Sequence, residues 1–171
     1  MNTDRDLVLE LSKSGRLPAR VASNPLAREL EAEILELATD AGLAVLAFEP
    51  AARFAQGGGV LQGGILTALL DFAMAFAAHA KLAAEPRNFS TVSLNAHFLR
   101  PAPPARYVAQ GRIVRAGRKL LFAEAGLFAP WPADGPSNAP APARSAAPGR
   151  GDAMHRELIA TASAVLALSE R

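Results

Sequence analysis

Gly57-Gly58-Gly59-Val60-Leu61-Gln62-Gly63-Gly64-Ile65-Leu66-Thr67-Ala68-Leu69-Leu70-Asp71-Phe72-Ala73-Met74-Ala75-Phe76-Ala77-Ala78-His79-Ala80-Lys81-Leu82-Ala83 is the stretch on which the fold turns. A glycine cluster runs directly into a predicted helix from about Ile65 to Ala83. Ile65, Leu66, Leu69, Leu70, Phe72, Met74 and Phe76 go right round that helix, the pattern of a helix surrounded by protein. Val60 to Leu82 also resembles a membrane span, but Gln62, Asp71 and His79 interrupt it and alanine supplies much of its apolarity. An aspartate near the centre of a span costs about 2.5–3.5 kcal/mol. A buried helix of a soluble protein, with no membrane partner, is the expectation.

Outward from this helix the pattern changes to period two. After Pro86, Val92, Leu94, Ala96 and Phe98 alternate with Thr91, Ser93, Asn95 and His97, which predicts a half-buried strand ending before Pro101. Tyr107–Arg115 and Leu120–Ala129 read as two more strands joined by a hairpin at Ala116-Gly117-Arg118. Glu157–Leu168 reads as a long final strand. Upstream, Leu43–Phe48 is a short strand. Before it, Asn24-Pro25 caps a predicted helix whose apolar positions Leu26, Leu30, Ile34, Leu37 and Ala41 recur at helical spacing, with Asp40 and Gly42 ending it. Residues 1–24 read as a flexible extension. Residues 25–171 read as a single domain, interrupted at 130–153 by a proline- and alanine-rich loop that proline keeps out of a sheet ladder. One apolar helix and several antiparallel strands are satisfied by an α+β fold in which the sheet curls around the helix.

Composition limits the chemistry. The 171 residues hold no cysteine and only three histidines, His79, His97 and His155, so disulfides, thiolate metal sites and a cysteine nucleophile are excluded and no local zinc motif exists. A formal net charge of +2, without evident exposed stacking aromatics, is no nucleic-acid footprint. The first 16 residues mix acids and bases and lack the apolar core of a secretory signal, so a cytoplasmic protein is expected.

Two features remain that can do chemistry. Asp71 is the one charged residue of the apolar helix before Lys81, and burial of an unpaired carboxylate is costly unless donors compensate it. It lies at a gap in the apolar cover, or is a structural hydrogen-bonding group, or is a carboxylate made basic for a purpose. Gly63 and Gly64 stand where the helix begins, so their N–H groups lack partners within it and attract an anion or a polarised carbonyl oxygen. A tight turn into the helix explains the glycines equally well. Neither nucleotide-binding glycine fingerprint fits, since GxGxxG fails at Gln62 and no lysine follows. Gly63 and Asp71 are eight residues apart, about 12 Å along one helix, so serving one reacting carbonyl together requires two copies of the chain.

Gly59-Val60-Leu61-Gln62-Gly63-Gly64-Ile65-Leu66-Thr67-Ala68-Leu69-Leu70-Asp71, then Ala73-Met74, Thr91-Val92-Ser93-Leu94-Asn95, Phe98-Leu99-Arg100-Pro101-Ala102 and Gly117-Arg118, resemble the hotdog-fold acyl-CoA thioesterases of the PaaI-like group. The resemblance covers about residues 43–129 and 156–168. It implies a hotdog fold, a long helix wrapped by a curved antiparallel sheet, assembled into homodimers through the sheet edge and often into tetramers. It further implies a hydrolase acting on a medium-chain or aromatic acyl-CoA, with no cofactor or metal because CoA belongs to the substrate. In that family the aspartate matching Asp71 is nucleophile or general base. The glycine matching Gly63 offers its N–H to the thioester oxygen from the opposite subunit, and a hydroxyl residue at the place of Thr91 positions water or the carboxylate.

The sequence departs from the family at two places, with Gln62 where histidine is usual and Gln56 where asparagine is usual. Glutamine still donates a hydrogen bond but carries no charge, and its extra methylene relative to asparagine moves the amide. These departures leave a rival expectation open: a protein that keeps the fold and binds acyl-CoA without turnover. Among the cations near strand ends, Arg100 and Arg118 are the candidates for CoA phosphates, against a plain solvated sheet face for the others.

Overall fold

The computed structural model describes residues 3–129 and 157–170. Their elements in chain order are α1 (Thr3–Ser14), β1 (Ala19–Arg20), α2 (Pro25–Glu29), β2 (Glu33–Ala38), β3 (Leu43–Phe48), α3 (Gly63–Lys81), β4 (Arg87–Phe98), β5 (Tyr107–Ala116), β6 (Leu120–Phe128) and β7 (Leu158–Glu170). A single 3-10 turn over Ala52–Phe54 leads into the glycine loop. The seven strands form one antiparallel sheet in the order β1-β2-β3-β5-β6-β7-β4.

The sheet wraps α3, as its apolar circumference requires. Leu66, Leu69, Leu70, Ala73, Met74, Phe76, Ala77, Ala78 and Ala80 of α3 are all buried. Inward-facing Leu121, Ala123, Ala125 and Leu127 of β6 and Ala160, Ala162, Ala164 and Leu166 of β7 face them across the core. By length and composition α3 is apolar enough to cross a membrane, but it is the core helix around which the sheet closes. Small residues let the layers approach closely. A Cβ on Gly111 of β5 would stand 2.1 Å from the Ala73 carbonyl oxygen, so glycine is required where strand and helix cross. The architecture is the hotdog fold, and the strands expected at 43–48, 92–98, 107–115, 120–129 and 157–168 all form.

Two corrections concern the N-terminal third. Residues 3–24 are not a loose extension. Val8 and Leu11 of α1 are buried in the main core, and the Arg5 guanidinium, itself buried, donates from Nη2 to the Glu85 carbonyl at 2.5 Å. Asp4 accepts hydrogen bonds from Ser23 and Asn24, and β1 pairs with β2. The helix expected from Pro25 to about Asp40 is only α2. Asn24 caps it, its Oδ1 accepting from the Leu26 and Ala27 N–H groups at 3.0 and 3.4 Å. The helix stops at Leu30, and Glu31, with φ 52°, turns the chain into β2. The helical spacing of Ile34 and Leu37 has a different cause. A β-bulge between Ile34 and Glu36 inserts one residue, so Ile34 and Leu37, three apart, both oppose buried partners, Leu46 and Ala44. The loop expected at 130–153 lies outside the described residues.

Candidate active site

The loop before α3 is built by its own hydrogen bonds. The Gln56 N–H donates to the Val60 carbonyl at 2.8 Å and the Gly59 N–H to the Gln56 carbonyl at 2.9 Å, with Gly59 at φ 78°. The Gln56 side chain closes the same turn, its Oε1 accepting from the Gly58 N–H at 2.6 Å. The Leu61 N–H is held by the Ala102 carbonyl at 2.7 Å and the Gln62 N–H by the Phe54 carbonyl at 3.1 Å. These contacts fix the direction in which α3 starts.

At that start Gln62 is the cap residue, but its side chain makes no capping bond and is exposed. Its carbonyl accepts from the Ile65 and Leu66 N–H groups at 2.9 and 3.2 Å, while the Gly63 and Gly64 N–H groups have no acceptor among the described residues. Beside them opens a cleft of about 350 Å³ lined by Val60, Leu61, Gly63, Leu66 and Phe98 to Ala102. Among the described residues Arg100 is its one charged side chain, with Nε 2.7 Å from Glu157 Oε1. A helix N-terminus of this kind offers two backbone donors and a positive end of the helix dipole to a polarised oxygen.

Asp71 lies two turns further along α3, half-buried. Thr91 Oγ1 donates to its Oδ1 at 3.2 Å. Burial raises the Asp71 pKa above the ordinary carboxylate value, and the Thr91 hydrogen bond opposes that shift only in part. The contact depends on a detail that simple alternation misses. A bulge between Thr91 and Ser93 changes the parity of β4, so Thr91 opposes buried Leu166 and faces the helix, while Ser93, Asn95 and His97 pair with Val165, Ser163 and Thr161 on the outer face.

The expected site residues thus fall into separate groups within one chain. Asp71 and Thr91 are in contact. Gly63, Gly64, Gln62 and Arg100 gather at the helix start, about 12 Å from Asp71 along the axis. Gln56 is engaged in bracing its loop. Arg118 belongs to a third region at the β5–β6 hairpin, where it lines a cavity of about 750 Å³ with Arg87, Lys119, Leu120, Ala167 and Leu168. Arg87 donates there to the Arg118 carbonyl. Among the described residues no three His, Asp or Glu side chains converge as metal ligands. Sequence reasoning missed Phe98, whose ring rests on Gly63. No pattern in the sequence pointed that way.

The fold and this helix-start loop define a hotdog protein, and residues 58–130 match the sequence model of the thioesterase superfamily. No curated protein sequence matches the chain. Among solved structures the chain is similar to a thioesterase family protein from Silicibacter pomeroyi, at 23% identity and TM-score 0.68 over 98% of this chain and 99% of that one. It is similar also to a thioesterase from Haemophilus influenzae, at 18% identity and TM-score 0.65 over 86% and 85% of the two chains. A third is a single-site mutant of the phenylacetic acid degradation protein PaaI from Thermus thermophilus, at 22% identity and TM-score 0.61 over 84% and 98%. The resemblance to hotdog thioesterases of PaaI type therefore holds in fold, and residues 58–130 carry the sequence pattern of the wider thioesterase superfamily.

Proposed function

We propose that the protein is a thioester hydrolase acting on acyl-CoA, with an active site completed between two copies of the chain. The observation that carries this reading is Asp71: a half-buried carboxylate with a raised pKa, oriented by Thr91, on a helix whose free amides open into an apolar cleft. The thioester oxygen accepts from the Gly63 N–H, with Gly64 adjoining it. Water held against the partner subunit's Asp71 gives that carboxylate a proton and adds to the carbonyl carbon. The oxyanion so formed is held by the amide at the positive end of α3. Collapse breaks the carbon–sulfur bond, Asp71 returns the proton to the leaving thiolate, and a carboxylic acid and free CoA result. In the variant with Asp71 as nucleophile, the carboxylate attacks directly and water hydrolyses the resulting anhydride.

Gln62 and Thr91 orient the groups around the carbonyl. Gln56 acts through the loop it braces, and Arg100 and Arg118 contact the phosphates of CoA. The chemistry needs no cofactor, and the protein works in the cytoplasm on a medium-chain or aromatic acyl group.

The exposed edge at β4 supports this pairing. This edge strand carries the exposed apolar side chains Val92 and Phe98, at 60% and 50% exposure, and has β7 on one side only. Antiparallel pairing of two β4 strands about a two-fold axis at Asn95 sets His97 opposite Ser93 and Phe98 opposite Val92. That register brings the Gly63 end of one chain level with the Thr91–Asp71 end of its partner. A tetramer adds a second such dimer.

Release of free thiol from a panel of acyl-CoA thioesters tests the proposal. Wild type is expected to hydrolyse at least one of them, and Asp71→Asn to lose about 10²–10⁴-fold in rate. Equal rates would remove Asp71 from the mechanism. Binding of the thioesters without thiol release would leave a binding protein instead of an enzyme.

A further inference from the structure

Gly63 and Gly64 are neighbours at the start of α3, yet their surroundings differ. A Cβ on Gly64 would meet nothing within 4 Å, whereas one on Gly63 would stand 3.1 Å from Cε2 and 3.3 Å from Cζ of Phe98. The ring is seated against the Gly63 backbone, so closely that one added methyl group would force it to give by a few tenths of an ångström. Phe98 is nevertheless half exposed, because it ends the edge strand β4. Its ring therefore forms part of the wall of the cleft beside the Gly63 amide, with Val60, Leu61, Leu66 and Leu99 supplying further apolar lining.

We infer that Phe98 determines acyl specificity, admitting thioesters whose carbon next to the carbonyl is an unbranched methylene and discriminating against α-branched ones. The inference rests on the reading of Gly63 as the amide that holds the thioester oxygen. A carbonyl bonded to that N–H sets its α-carbon beside the same backbone, where the ring already stands in contact. A methylene passes along the flat ring. A methyl branch must displace it. The ring is a side chain that can change rotamer while backbone cannot, so the discrimination is finite, in the range of about 10–200-fold expected for one misplaced carbon in an apolar pocket.

The test compares butyryl-CoA with isobutyryl-CoA, and phenylacetyl-CoA with 2-phenylpropionyl-CoA, by thiol release. Binding of the matching non-hydrolysable methylene-ketone analogues is measured by calorimetry alongside. Wild type is expected to favour the unbranched member of each pair by about tenfold or more in kcat/KM. Phe98→Ala brings the ratio to within about threefold, chiefly through a lower KM for the branched substrate, and Phe98→Leu falls between. Circular dichroism and size-exclusion chromatography establish that each variant is folded and assembled as wild type is, and Phe98→Tyr, which keeps the ring, keeps the ratio. Absence of a preference in wild type, or a ratio that survives in folded Phe98→Ala and Phe98→Leu, overturns the inference while leaving hydrolysis standing. Selective binding of the unbranched ketone without any thiol release, lost in Phe98→Ala, supports the inference and overturns the hydrolase reading. Absence of both turnover and selective binding overturns both.

Discussion

A carboxylate half-buried on an apolar helix destabilises the fold when ionised, and Asp71 is such a group. Its pKa in the folded chain lies above the unfolded value near 3.9, so folding favours the protonated form and stability falls as pH rises through the interval between the two. Asp71→Asn, which keeps the shape and can still accept from Thr91, is expected to raise the melting temperature at pH 7 while lowering turnover by about 10²–10⁴-fold. The gain disappears below about pH 4, where the aspartate is neutral as well; differential scanning calorimetry at both pH values checks this. Thr91→Val removes the hydrogen bond that favours the ionised form. The acid limb of the kcat/KM profile then moves to higher pH, and an unmoved limb would show that Thr91 does not tune the carboxylate. The sequence alone marked Asp71, because a single charge inside a continuous apolar run is visible without coordinates. It also marked Gly63 by its place at the start of the run. The orientation of Thr91 was legible only in part, since period-two alternation puts it on the outer face and a bulge of one residue turns it inward. The contact between Phe98 and Gly63 joins residues far apart in the chain and leaves no pattern in either segment.

At the scale of elements, bulges explain most of the difference between pattern and structure. A three-residue apolar spacing is the first step of a helix and also the signature of a bulged strand, and Ile34 and Leu37 belong to the second case. What decides between them is the ladder with β3, a tertiary contact that no local window contains. The long elements α3, β5, β6 and β7 were legible because their periods persist over nine or more residues. α1 is weakly marked in the sequence because a lone pair, Leu7 and Leu11, carries little periodicity, while its docking depends on Val8, Leu11 and buried Arg5 meeting the far end of α3. Beside them His79 is buried between Phe76 and Phe89, and that burial pushes its pKa down to about 4. Leu11→Ala is expected to cost about 2–5 kcal/mol in denaturant unfolding. A cost near zero would mean that α1 is not part of the cooperative fold. Gly111→Ala tests the crossing of β5 over α3. Its Cβ would overlap the Ala73 backbone, which cannot move aside as a side chain can. The expected loss is about 3 kcal/mol or more, read as a lowered denaturation midpoint or as failure to fold.

For the whole molecule, the proposed chemistry makes one chain an incomplete site. The Gly63 N–H lies beside Phe98 at one end of β4 and the Asp71 carboxylate beside Thr91 nearer the other, and in the proposed dimer a second copy in antiparallel register brings the two groups together. The absence of cysteine from the sequence makes this register easy to probe. In Asn95→Cys the two thiols meet across the proposed axis at a Cα separation of about 4.5–5.5 Å, within the reach of a disulfide. Mild oxidation should give a covalent dimer, whereas Arg87→Cys should not. The most direct measurement is complementation between subunits. Chains carrying Asp71→Asn and chains carrying Gly63→Val, each inactive alone, are unfolded together and refolded as a mixture. If the carboxylate and the amide act across the interface, half of the dimers are mixed and each has one intact site, so about one quarter of wild-type thiol release returns. A mixture as inactive as its parents, although mixed dimers have formed, would contradict a site shared between two chains.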